Sequence, residues 1–167
     1  MMDLFTIIEH SALSVWVRES PSLLAFPFIL YLHTLGLAML AGINVGIDVW
    51  LLAARTVPPI RMVGTYRVML LGFGINALSG LVLLWAYPAK ALTNWVFFAK
   101  LLMIAIAMWV LALVKREMLA AETGGAREVS ARMRWLAAAS LILWAGTIFA
   151  GRLLAYTHSI LLASEGY

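Results

Sequence analysis

Long apolar segments alternate with short polar stretches along this chain. Four of the apolar segments are long, at about residues 22–54, 62–85, 95–114 and 135–163. A helix that crosses a membrane needs about 20 mostly apolar residues, so each segment is long enough to span. Because lipid offers no hydrogen bonds to an open backbone, each segment is predicted to form an α-helix.

Short connections join these segments, and helix-breaking residues mark them. Pro58 lies in the first connection, Pro88 in the second and Gly124 in the third, which is predicted to run from Lys115 to Arg134. Helices joined by short connections pack as antiparallel neighbours. The sequence therefore predicts an all-α fold, an integral membrane four-helix bundle with antiparallel up-down topology, in a single transmembrane domain of residues 1–167.

The N-terminal stretch precedes the first apolar segment and has a different character. It mixes acidic and apolar residues, and no small-residue cleavage site follows an apolar run, so a secretory signal peptide is not indicated. Residues 3–18 are predicted to form a short amphipathic helix on the membrane surface. Its apolar anchors would be Leu4, Phe5, Ile8 and Trp16.

The composition supports a membrane location. Hydrophobic residues make up 64% of the chain and charged residues 12%, whereas soluble domains are about half apolar and about a quarter charged. The absence of cysteine excludes a disulfide framework, a thiolate metal site and a covalently attached c-type haem. The net charge of +4 comes from basic residues mostly confined to two connections, so nucleic acid is not predicted as a partner.

The basic residues also predict an orientation. They concentrate in the first connection, which holds Arg55 and Arg61, and in the third, whereas Arg18 and Lys90 are the basic residues of the opposite side. Connections rich in arginine and lysine lie in the cytoplasm. A multi-pass protein of the bacterial inner membrane is therefore expected, with both termini and the Pro88 connection on the periplasmic side.

Two charged residues are expected at similar depth near the cytoplasmic face. Asp48 lies towards the inner end of the first segment and Arg67 near the start of the second. Opposite charges inside a membrane are tolerated when they pair. We predict a structural ion pair between Asp48 and Arg67.

Three other polar residues are expected to share a level in the periplasmic half, on three different helices. They are His33, Lys100 and Arg152. No acidic residue is predicted at that level, so two cations and an imidazole need an anionic partner, unless they reach the lipid headgroups. The propionates of haem, or the polarised carbonyls of a quinone, would meet that need.

His33 has two interpretations of nearly equal weight. It could hydrogen-bond to a backbone carbonyl or hydroxyl of another helix, or it could be an axial ligand of b-type haem between the helices. In the second case Gly36, one turn away, would leave space beside the macrocycle. His158 is the candidate for a second ligand if the last helix continues through it, and His10 is a weaker candidate.

The motifs around these residues resemble those of known membrane families. LHTLGLAMLAG with His33, IDVWLLA, FFAKLLM with Lys100 and AGRLLAY with Arg152 resemble an uncharacterised family of small bacterial four-helix inner-membrane proteins, a domain of unknown function. The layout is also similar to the HemJ-type protoporphyrinogen oxidases and the copper-resistance D type membrane domains. The HemJ-type proteins are associated with b-type haem, so the resemblance implies haem bound through His33.

The leading functional hypothesis is a small membrane redox subunit. It would bind b-type haem and relay electrons between a periplasmic partner and the quinone pool, as an electron-transfer or anchor subunit rather than a stand-alone enzyme. The alternative is a non-catalytic structural or assembly subunit that binds lipid or partner helices. A small transporter is less favoured because an acidic relay is absent, and no hydrolytic motif is present.

Overall fold

A computed structural model shows how the apolar segments are arranged. It describes residues 8, 10–57, 63–124 and 128–164, with backbone alone for residues 63, 90 and 155–164. Within this part of the chain the helices are α1 (Ala12–Glu19), α2 (Phe26–Leu37), α3 (Ile43–Ala53), α4 (Val63–Ala86), α5 (Pro88–Leu92), α6 (Trp95–Thr123) and α7 (Ala131–Ser164). A single π-helical turn, Ala38–Gly42, joins α2 to α3.

The structure confirms the all-α membrane bundle. Its four candidate spans are Phe26–Ala53, Gly64–Ala86, Trp95–Thr123 and Ala131–Leu154, each long and apolar enough to cross a membrane. Large apolar side chains cover the outside, among them Leu78 (68% exposed) and Ile142 (72% exposed). Such a surface suits lipid rather than water. The chain is a multi-pass membrane protein.

The described helix near the N-terminus begins after a turn at His10. It occupies Ala12–Glu19, and Ser11 caps it by accepting a hydrogen bond from the Ser14 backbone N–H. Trp16 is exposed, as an apolar anchor would be. Of the other predicted anchors, Leu4 and Phe5 lie outside the described residues.

The third connection is shorter than the predicted stretch from Lys115 to Arg134. Helix α6 continues to Thr123, and α7 begins at Ala131. No helix-breaking residue precedes Gly124, so charged residues after Lys115 extend the helix beyond the apolar segment. An ion pair of 3.1 Å between Glu117 and Arg132 links the extended ends of α6 and α7.

Side-chain contacts fix the two ends of the bundle. At one end, the Pro88 end, the Ser14 hydroxyl donates to the Ala86 carbonyl at 3.2 Å and ties α1 to α4. At the other, the Arg55 end, the guanidinium of Arg134 donates to the carbonyls of Leu52 at 2.7 Å and Ala54 at 3.0 Å. The helices therefore run alternately between these ends.

The first span changes its main packing partner along its length. Helix α2 packs against α4, whereas α3 packs mainly against α7, and α6 packs against α7. The change occurs at the π-helical turn, where an extra residue per turn rotates the faces of the helix. The main buried apolar cluster lies towards the Arg55 end and includes Leu51, Met69, Val114 and Trp144.

A pair of glycines brings α2 and α4 into backbone contact. A Cβ added at Gly36 would lie 2.6 Å from both the Asn76 nitrogen and the Gly72 oxygen. A Cβ added at Gly72 would lie 2.6 Å from the Met39 Cβ. Glycine permits this close approach, as is usual between membrane helices.

We expect Gly36→Ala to lower the free energy of unfolding by about 1–3 kcal/mol, because the new methyl group would push the α4 backbone away. Gly46→Ala is the matched control in the same span, since a Cβ there meets nothing within 4 Å. The control should change stability by less than about 1 kcal/mol. Thermal unfolding in detergent micelles measures both, and equal stability of the two variants would contradict the backbone contact.

Candidate functional site

His33 lies on α2 and faces α4. Its Nδ1 is 3.0 Å from the carbonyl oxygen of Asn76 and 3.2 Å from the hydroxyl of Ser79. The Asn76 amide in turn donates to the His33 backbone carbonyl at 2.7 Å. Gly80 makes room for the ring, because a Cβ at that position would lie 3.1 Å from His33 Cε1. The imidazole is therefore held against one face of α4.

The hydrogen bonds define the tautomer of His33. A carbonyl oxygen only accepts, so Nδ1 carries the proton and donates it to Asn76. The Ser79 hydroxyl donates to the Ile75 carbonyl at 2.6 Å and does not compete for this role. In a neutral ring, Nε2 then carries a lone pair. Within the described residues, no hydrogen bond to Nε2 is formed, so its lone pair has no protein partner among them.

Lys100 approaches the same region from α6. Its side chain lies across α7, with Nζ 3.6 Å from the position that a Cβ on Gly151 would take. The ammonium is near enough to His33 for the two groups to interact electrostatically. The described residues form no ion pair with Lys100, so its charge has no protein counter-charge among them.

Arg152 follows Gly151 on α7 and is exposed. No ion pair joins it to another described residue. The structure thus places Lys100 within electrostatic range of His33, and Arg152 is next in sequence to the glycine on which Lys100 lies. The described part of the chain has no cluster of three or more histidine, aspartate, glutamate or cysteine residues able to hold a metal ion.

Gly36 and His158 were also predicted to belong to this site. Gly36 does not border a ligand space, because the backbone of α4 at Gly72 and Asn76 fills the volume beside it. This corrects the prediction: the glycine serves helix packing. The backbone of α7 is helical through His158, as a second ligand would require, but its side chain lies outside the described residues. His10 is exposed and precedes α1.

The predicted ion pair between Asp48 and Arg67 is absent. Asp48 is 1% exposed and accepts a hydrogen bond of 2.6 Å from the Asn44 amide, whereas Arg67 is exposed. Depth alone does not specify which face of a helix a residue occupies. Tyr66, the neighbour of Arg67, is buried and faces the interior of the bundle at this level.

No family model, curated protein or solved structure matches this chain. The site is therefore interpreted from its own geometry. One imidazole with an available nitrogen, one ammonium and a nearby guanidinium favour a ligand that combines a metal or hydrogen-bonding centre with negative charge.

Several polar residues of the bundle were not predicted as functional. Asn76 and Ser79 orient His33, while Asn44 bonds to both Asp48 and Ser140. Each lies in an apolar segment, where an uncharged polar residue is itself a signal of contact with another helix. Their partners, however, depend on helix rotation, which hydropathy does not report.

We expect Asn76→Leu to lower the free energy of unfolding by about 1 kcal/mol, the size of a hydrogen bond between membrane helices. Thr34→Val is the matched control, because the exposed Thr34 hydroxyl donates only to Leu30 of its own helix at 2.9 Å. Thermal unfolding in micelles compares the two. An equal effect of both substitutions would contradict the role of Asn76 between α2 and α4.

Proposed function

We propose that the chain is a small membrane redox subunit that binds one b-type haem through Nε2 of His33. The observation that carries the proposal is the hydrogen bond of 3.0 Å from Nδ1 to the Asn76 carbonyl. Metal-bound histidines usually donate their second ring nitrogen to a carbonyl or carboxylate in this way. A neutral imidazole held so is a suitable axial ligand for haem iron.

Lys100 and Arg152 are suited to bind the propionates, which are the acidic groups at the edge of a haem. Propionates would supply the negative charge that the described part of the chain does not place beside these cations. When bound, haem supplies one-electron transfer, and the protein holds the imidazole and neutralises the propionates. His158 is the proposed second ligand, and a quinone is the alternative occupant, with Lys100 polarising a carbonyl.

We propose an orientation in which this site lies in the periplasmic half of the bacterial inner membrane. The Arg55 end carries Arg55, Lys115, Arg116, Arg132 and Arg134, and basic ends face the cytoplasm. His33 and Lys100 lie nearer the Pro88 end of the bundle. In this orientation, the Pro88 end and both termini would face the periplasm. We propose that the subunit relays electrons between a periplasmic partner and the quinone pool, within a larger complex.

We expect the purified protein to show the Soret band of haem, and His33→Ala to abolish it. His10→Ala is the matched control, because His10 is exposed and precedes the bundle. It should retain the band. Absorption spectra of protein expressed with an adequate haem supply measure the outcome.

Colourless wild-type protein that is folded and fully expressed would overturn the haem proposal. A Soret band that survives in His33→Ala with unchanged intensity would overturn the choice of ligand. Circular dichroism of each variant shows whether the helices remain folded, so that loss of colour is not loss of the protein.

A second function is favoured by the reciprocal bonds between His33 and Asn76. They join α2 to α4 in both directions, as a structural contact would. In that case the chain is a non-catalytic assembly subunit, with Lys100 and Arg152 binding phospholipid headgroups. Colourless protein that His33→Ala destabilises, without any spectral change, would support this function.

A further inference from the structure

A second polar cluster lies in the half of the bundle towards the Arg55 end, well away from His33. Asp48 on α3 is 1% exposed, Asn44 is 1% exposed and Ser140 on α7 is fully buried. The Asn44 amide donates to Asp48 Oδ2 at 2.6 Å and to the Ser140 hydroxyl oxygen at 2.7 Å. The Asn44 amide thus bridges the Asp48 carboxyl and the Ser140 hydroxyl. These residues, Asn44, Asp48 and Ser140, are called the Asp48 cluster.

None of the described basic residues around the Asp48 cluster forms an ion pair with Asp48. Lys115 on α6 lies over the Tyr66 ring, 5.1 Å from its centroid. Arg134 on α7 donates to the carbonyls at the end of α3, and Arg67 on α4 is exposed. Tyr66 is the titratable group of α4 that interacts with Asp48. Within the described residues, Asp48 therefore has no cationic partner.

A buried carboxylate without a cation is strongly unfavourable, and such a group binds a proton instead. The Asn44 amide acts in the opposite direction, because its hydrogen bond to the Asp48 carboxyl stabilises the ionised form. This environment therefore supports both the protonated and the ionised form of Asp48. A carboxyl placed in this way is able to take up and release a proton.

Further polar atoms extend from this cluster along α7. The indole nitrogen of Trp144 and the hydroxyl of Thr147 are buried and have no hydrogen-bond partner in the described structure. They follow Ser140 by four and seven residues, which places them on the same face of α7, towards the Pro88 end. Buried polar groups without a protein partner mark positions where water or another hydrogen-bonding species binds.

We infer that Asp48 is an intramembrane proton-binding site, held by Asn44, which is in turn anchored on Ser140. Asp48 is five residues from the end of α3, about 8 Å, so the proton would enter from the Arg55 end. A metal cation is less suitable, because the Asn44 amide presents its nitrogen rather than its oxygen to the carboxyl. This inference is independent of haem binding at His33.

Reaction with dicyclohexylcarbodiimide tests the inference, because this apolar reagent modifies protonated carboxyls from within the membrane. Intact protein in liposomes is treated over a range of pH, and peptide mapping by mass spectrometry locates the adduct. We expect a single adduct at Asp48 that decreases as the pH rises and is lost in Asp48→Asn. Glu122→Gln is the control, since Glu122 is exposed, and it should leave the labelling of Asp48 unchanged.

Absence of an adduct at Asp48 at every pH would overturn the inference, and so would protection of Asp48 by sodium ions at constant pH, which would indicate a cation site. The wild-type peptide map identifies the modified residue even if Asp48→Asn fails to fold. Where that variant folds, the carbonyl stretch of a protonated carboxyl should appear in the infrared spectrum of the wild type and be lost in the variant. Its presence in both spectra would contradict the assignment to Asp48.

Discussion

The backbone contact between α2 and α4 is the constraint on which the candidate site depends. Gly36 and Gly72 allow the two helices to approach so closely that a methyl group added at Gly36 would lie 2.6 Å from backbone atoms of α4. Only at this separation does the imidazole of His33 reach the Asn76 carbonyl and the Asn76 amide reach the His33 carbonyl. In lipid, such polar groups need partners on neighbouring helices, so the glycines and the polar pair support each other.

The π-helical turn divides the bundle into two parts with different properties. Before it, α2 packs on α4, and His33 on α2 interacts electrostatically with Lys100 on α6. After it, α3 packs on α7, and the buried apolar cluster encloses the residues that hold Asp48. One membrane span therefore contributes the imidazole of His33 in one half and the buried carboxyl of Asp48 in the other.

The spans, their order and their α-helical structure follow from hydropathy, because lipid excludes every alternative for a long apolar segment. Contacts that depend on the rotation of each helix about its axis cannot be predicted from hydropathy. Asp48 and Arg67 share a depth but not a face, and Gly36 faces the α4 backbone rather than a ligand. The charged residues after Lys115 continue α6, since leaving the membrane does not end a helix. Haem, quinone and the periplasmic orientation remain predictions.

The central claim is that Asn76 fixes His33 with the proton on Nδ1, so that Nε2 is available to a ligand. Nitrogen NMR of protein labelled at histidine reports the protonation of both ring nitrogens directly, and comparison with His33→Ala assigns the signals. The account predicts a protonated Nδ1 and an Nε2 that carries no proton, whether or not it is bound to a metal. A His33 ring protonated at Nε2 and not at Nδ1 would contradict it.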